Sequence, residues 1–192
     1  MNVPLLHAVR NNAFWCDQVC REQGVETSWW PSAWVAHRRT PEFFPDAVTL
    51  TPDADPEALL AAVDSGPGCS IKDSYATLDL APYGFRVLFA AEWIFLPSPR
   101  PAPRRLDLDG GSVMTNCSDG VVGLSNLAVT PGDDTVEGWR RAVAAIGEAY
   151  PGRDLVGYER AEDLPAAHSA GFRSIGPLRV WIRDDSTMVD PL

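Results

Sequence analysis

Between Val121 and Arg183 the sequence alternates strand patterns with helical ones, an order that leaves a chain few ways to fold. Val121–Val129 is a run of apolar and small residues. In the helix that follows, Thr135–Tyr150, the residues Val136, Trp139, Val143, Ile146 and Tyr150 recur at spacings of three and four, a single apolar stripe. Leu155–Glu159 is a second strand. Asp163 then stands where a cap begins a short helix, which Gly171 ends. Leu178, Val180 and Ile182 alternate with Arg179, Trp181 and Arg183, the period of a half-buried strand. Short connections make these strands neighbours, the first two parallel and joined by a right-handed crossover.

Upstream the signals are weaker. Leu5–Gln23 reads as a helix with Val9, Ala13, Cys16 and Cys20 on one face and Gly24 as its stop. Val25–Pro45 concentrates Trp29, Trp30, Trp34, Phe43 and Phe44, and is expected to be an irregular segment packed over the domain, since large aromatics are costly to leave in water. Ala47–Leu50 is a short strand. Asp55-Pro56-Glu57 supplies a cap, a first-turn proline and an acid to open a helix that buries Leu59, Leu60 and Val63 and ends near Asp64. Arg86–Leu96 is a long strand halted by the prolines of Pro97–Pro103. Turns at Asp107–Gly111 and Cys117–Gly120 flank a short strand around Val113. No internal repeat is visible. The expected organisation is an N-terminal helix with an aromatic extension (1–45), a main domain (46–184) and a tail (185–192).

Composition removes several functions. The 192 residues carry a net charge of −10, and the arginine pairs at Arg38-Arg39, Arg104-Arg105 and Arg140-Arg141 are not interleaved with aromatics, so nucleic acid is not an expected partner. No apolar run is long enough to span a membrane and the first residues lack a secretory pattern, which points to a cytoplasmic protein with reduced cysteines. Cys16 and Cys20 sit four residues apart on an apolar helix face, unlike a zinc knuckle, and no metal is expected. No nucleophile elbow is present.

The strand Gly123-Leu124-Ser125-Asn126-Leu127-Ala128-Val129, its crossover helix, Leu155-Val156-Gly157-Tyr158-Glu159, the helix end Ala170-Gly171-Phe172 and the strand Leu178–Ile182 together resemble the C-terminal half of a GCN5-related N-acetyltransferase. The resemblance implies a mixed α/β sheet of that fold, here preceded by an extra N-terminal helix. It also implies transfer of an acyl group, such as acetyl, from acetyl-CoA or another acyl-CoA to an amine of a small molecule or protein. The donor would lie along Leu127, Ala128 and Val129, with Gly132 in the loop that meets the pyrophosphate. This chain departs from the family there, because Asp133 and Asp134 stand at the helix start and either would cap it. It departs again at Ala167, where the family often has a tyrosine that protonates the leaving thiolate. Tyr158 and His168 are the remaining candidates for that acid.

Glu92, a charge inside an apolar strand, is a candidate base, against the alternative that it simply faces solvent. Lys72, the single lysine, lies in the stretch Gly66–Tyr75, read either as an anion-binding loop or as a turn with a Lys72–Asp73 surface pair. Two functional readings follow: an acyltransferase acting on a small-molecule substrate, or a chain of the same fold that binds a small molecule or partner protein without CoA. A second copy of the chain is the protein partner considered.

Overall fold

The first helix, α1 (Val3–Glu22), buries Val9, Ala13, Cys16 and Cys20, the face that their spacing selects. The computed structural model describes residues 3–97, 111–129 and 134–184. They fall into two compact units, one made of Met1–Asn12 with Ala91–Gly176 and the other of Ala13–Ala90 with Pro177–Leu192. No helix among the described residues is long and apolar enough to cross a membrane.

After α1 come β1 (Thr27–Trp29), β2 (Ala33–Ala36), β3 (Ala47–Thr49), α2 (Pro56–Ala62) and β4 (Ser70–Asp73). The expected irregular aromatic segment is a hairpin over Thr27–Ala36, where Trp29 pairs with Trp34 and β2 continues into antiparallel pairing with β3, and is irregular only from there to β3, with Phe43 exposed rather than packed. Aromatic and β-branched residues suit a pleated, half-buried surface, and that preference prevails here over Pro31. Helix α2 crosses from β3 to β4, which run parallel, and its Asp55 cap accepts from the Glu57 amide at 3.0 Å. Leu59 from α2 packs with Val35, Ala47, Ile71, Leu80 and Phe85 in the core of this unit.

Buried acids brace the same unit. Asp46 accepts from Arg39 Nη1 at 2.7 Å, Thr40 N at 2.9 Å and Ser70 N at 2.9 Å. Asp17 accepts from Trp34 Nε1 at 3.0 Å and from Thr27 Oγ1, and pairs with Arg21 at 2.8 Å. Burial works against the Asp17 charge, yet Thr27, Trp34 and Arg21 together hold its carboxyl below the usual range.

A 3-10 turn (Ala81–Tyr83) leads into β5 (Phe85–Leu96), and beyond the proline-rich stretch the chain forms β6 (Gly111–Ser118), β7 (Val121–Val129), α3 (Thr135–Ala149), β8 (Asp154–Glu159), α4 (Leu164–Ser169) and β9 (Arg173–Arg183). The prolines Pro99, Pro101 and Pro103 lie outside the described residues. In the second unit the strands run β5-β8-β7-β6, with β7 and β8 parallel and the outer pairs antiparallel. In the first the order is β1-β2-β3-β4-β9. Parallel and antiparallel ladders thus coexist in both, which excludes an all-parallel doubly wound sheet.

Helix α3 buries Trp139, Ala142 and Ile146 against Val122, Leu124 and Leu155 of the sheet, joined by Leu164 and Phe172 around α4. Trp139 and Phe172 meet edge to face, 5.3 Å between ring centres. The first turn of α3 lies so close to β7 that a methyl group at Gly138 would stand 2.5 Å from Val129 Cγ2. Gly138→Ala should therefore lower stability by about 1–3 kcal/mol through overpacking, even though alanine favours the helix by about 1 kcal/mol. Denaturant unfolding should show the loss, and adding Val129→Ala should recover part of it.

Candidate functional site

The hairpin between β6 and β7 turns at Asp119 and Gly120, whose φ of 50° and 80° are those of a tight primed turn. Further along, Ser112 pairs with Ala128 while Met114 pairs with Ser125, so β7 carries one more residue than β6 over that span. Asn126, at φ 52°, takes up this bulge and bends the strand. On its other edge β7 pairs with β8 only at Val121↔Asp154, Val122↔Leu155 and Gly123↔Val156.

Beyond Gly123↔Val156 both strands continue, β7 to Val129 and β8 to Glu159, without strand pairing between them among the described residues. An opening between two parallel strands results. Two glycines fix its base. A methyl group at Gly157 would stand 3.0 Å from the Leu124 carbonyl oxygen and 3.3 Å from Leu124 Cγ. One at Gly123 would meet Asn11 Oδ1 from α1 at 2.1 Å, and Asn11 in turn donates to Ser118 Oγ at 3.0 Å. Leu127 and Val129 are half-buried and Ala128 is exposed along the free stretch of β7.

Where α3 begins, Asp134 occupies the cap and its carboxylate accepts from the Val136 amide at 2.8 Å. The capping expected of Asp133 or Asp134 therefore falls to Asp134, and Glu137 adds a second acid in the first turn. A helix start filled by its own carboxylate fits a diphosphate poorly, since the exposed amides and dipole already have an anion. The unpaired stretch of β7 fits an extended amide-bearing arm well. Gly132 lies outside the described residues.

On the far edge of β8, antiparallel pairing with β5 sets Glu92 opposite Glu159, Ile94 opposite Gly157 and Trp93 opposite Tyr158. Because side chains alternate, Glu92, Ile94, Gly157 and Glu159 share the face that packs beneath α3 and α4, while Trp93 and Tyr158 share the other. Glu92 and Tyr158, both proposed from sequence for the chemistry, thus project from opposite sides. The Tyr158 ring packs edge-on to Trp93 at 5.6 Å. His168 is exposed on α4 and bonds Ser174 Oγ at 3.1 Å, while Ala167 is wholly buried and offers no proton.

Glu159 was not among the residues expected from sequence to act chemically. Its carboxyl is pushed up to about 7, first by burial, then by the charges of Asp163 and Glu162, with Arg160 opposing. The cap expected from Asp163 is not made by its side chain. The available sequence signal was a glutamate ending a strand of the crossover, followed closely by Glu162 and Asp163.

Lys72 requires a correction. It is not in an exposed loop but on β4, opposite Val48 and Val180, only 4% exposed. It lies close enough to the buried Cys16 that its positive charge offsets part of the burial that lifts that thiol to about 11. A central strand buried on both faces ordinarily reads as an apolar run, whereas Ser70-Ile71-Lys72-Asp73, following Gly66 and Gly68, carries two charges and so reads as a loop. Asp73 is likewise buried and accepts from the Leu78 amide at 2.9 Å, so neither residue lies at the surface where a Lys72–Asp73 pair was expected.

No family model matches the sequence, and no curated protein does. Solved structures match by shape. A GNAT-family protein from Novosphingobium aromaticivorans DSM 12444 superposes with a TM-score of 0.58 at 16% identity, over 94% of this chain and 99% of its own. A GCN5-related N-acetyltransferase from Kribbella flavida gives 0.56 at 10% identity, over 95% and 98%. One from Sphaerobacter thermophilus gives 0.44 at 8% identity, and the chain spans 62% of its length. The fold of this protein is that of the GCN5-related N-acetyltransferases.

Proposed function

We propose that the chain transfers an acyl group from a CoA-type thioester to a primary amine. The donor lies along the free stretch of β7, Leu127 to Val129, and Glu159 serves as general base. The observation that carries this reading is the opening between β7 and β8, bordered by a carboxyl group whose affinity for protons is set near neutrality. Backbone groups of β7 that have no partner on β8 would hydrogen-bond the amides of the donor arm. Glu159 takes a proton from the incoming ammonium. The free amine attacks the thioester carbon, the C–S bond breaks, and one of the two protons on nitrogen leaves with the thiolate as a thiol while the other stays on the amide. Glu92, across from Glu159, adds negative charge on the same face and favours a cationic acceptor.

A second reading rests on Asp134. Its carboxylate already satisfies the helix start that a diphosphate would need, which favours a chain of this fold that binds a small molecule or partner protein without CoA. Calorimetric melting separates the two. On the first reading, acetyl-CoA at a hundred times its dissociation constant adds about 2.7 kcal/mol. Unchanged melting with acetyl-CoA and longer acyl-CoAs at millimolar concentration would leave the second reading standing.

The pH dependence follows from Glu159. A carboxyl raised from 4.5 to about 7 in the folded chain stabilises fully below 4.5, and that stabilisation is lost as pH rises through about 7. The rate, which needs the carboxylate, should rise over the same upper range. Glu159→Gln should remove that limb, lower kcat by about 10²–10⁴ and flatten the fall in stability toward alkaline pH. A Gln variant with native kcat and an unchanged pH profile would exclude Glu159 as the base.

A further inference from the structure

We infer that the chain is built from two copies of one frame that exchange a strand, and that only the second copy is open to a donor, Thr49 and Tyr75 closing the first. In the first copy, β2 and β3 form an antiparallel pair, α2 crosses to the parallel strand β4, a 3-10 turn follows, and β5 comes next in sequence. In the second, β6 and β7 form the antiparallel pair, α3 crosses to the parallel strand β8, α4 follows, and β9 comes next. Each copy then takes the long strand of the other: Glu92–Leu96 of β5 pairs with β8, and Arg179–Ile182 of β9 pairs with β4.

Residue detail repeats along with topology. Asp55 and Asp134 cap the two crossover helices by the same bond, side chain to the amide two residues on. The turn before each long strand ends in Gly-Phe-Arg: Gly84-Phe85-Arg86 and Gly171-Phe172-Arg173. Both glycines have positive φ, 81° and 99°, and both phenylalanines are buried. A sequence with no visible repeat thus holds a structural one, because what recurs is a cap, a left-handed glycine and a buried ring rather than a run of identical residues.

The two copies differ where the crossover strands part. Pairing of β3 with β4 ends at Val48↔Lys72, and beyond it the gap is bridged twice. The Ser74 amide donates to Thr49 Oγ1 at 2.8 Å, with both residues buried, and Tyr75 Oη donates to the Leu50 carbonyl at 3.0 Å. These side chains take the backbone groups that a donor arm would need. In the second copy the corresponding stretch, beyond Gly123↔Val156, runs on through the bulge at Asn126 with its β8-facing edge unpaired among the described residues.

This assignment rests on the acyl-donor reading above. Titration calorimetry of the full chain with acetyl-CoA tests it. One molecule should bind per chain, Ala128→Asp should weaken binding at least tenfold, and Thr49→Val or Tyr75→Phe should change it by less than about twofold. Two molecules per chain would overturn the assignment while leaving the donor reading intact. So would a tenfold loss in the folded Tyr75→Phe variant with none in Ala128→Asp. Absence of binding by any acyl-CoA would instead overturn the donor reading, and this assignment with it.

Discussion

Pairing between β7 and β8 stops at Gly123↔Val156, and most of what is distinctive in this protein depends on that stop. A parallel ladder normally continues as long as both strands do, because each unpaired buried amide or carbonyl is costly. Here two features end it. The extra residue at Asn126 bends β7 along its β6 edge, and β8 lies so close to β7 at Gly157 that a methyl group there would stand 3.0 Å from the Leu124 carbonyl oxygen.

That geometry also determines the chemistry of Glu159. Being on β8 past the last pair, it borders the opening. Being opposite Glu92 of β5, it faces the side covered by α3 and α4, where burial disfavours its charge. Asp163 and Glu162, held nearby by the turn into α4, push in the same direction. The same carboxylate on an exposed strand end would be a solvated charge of no consequence. Nearby, Asp134 fills the start of α3 with its own carboxylate, and the buried Ala167 gives α4 no proton donor at that position.

Strand exchange ties the two units through chain continuity. β5 comes directly after the first half in sequence but pairs with β8 of the second, and β9 comes directly after the second half but pairs with β4 of the first, so neither half completes its own sheet. The first half has turned its polar groups inward, with Asp46, Asp17, Asp73 and Lys72 buried and satisfied, and serves as framework. The second half keeps its free edge.

The sequence by itself determined the elements with strong periodicity: α1, α3, the strands β5, β7 and β8, and the order β-α-β-α-β, because spacing of apolar residues is a local property that burial enforces. It also carried a carboxylate cap at the start of α3, Asp133 or Asp134, since capping is local, and the structure assigns it to Asp134. Tertiary structure alone decided the rest. The β1–β2 hairpin was hidden by Pro31 and the tryptophans, and β4 by the glycines before Lys72. Which face Glu92 shares, and with whom, depended on a register between strands more than sixty residues apart in the chain, and no local pattern encodes a register. The proton affinity of Glu159 likewise arises from burial by α3 and α4 and from Asp163, neighbours that exist only once the chain has folded.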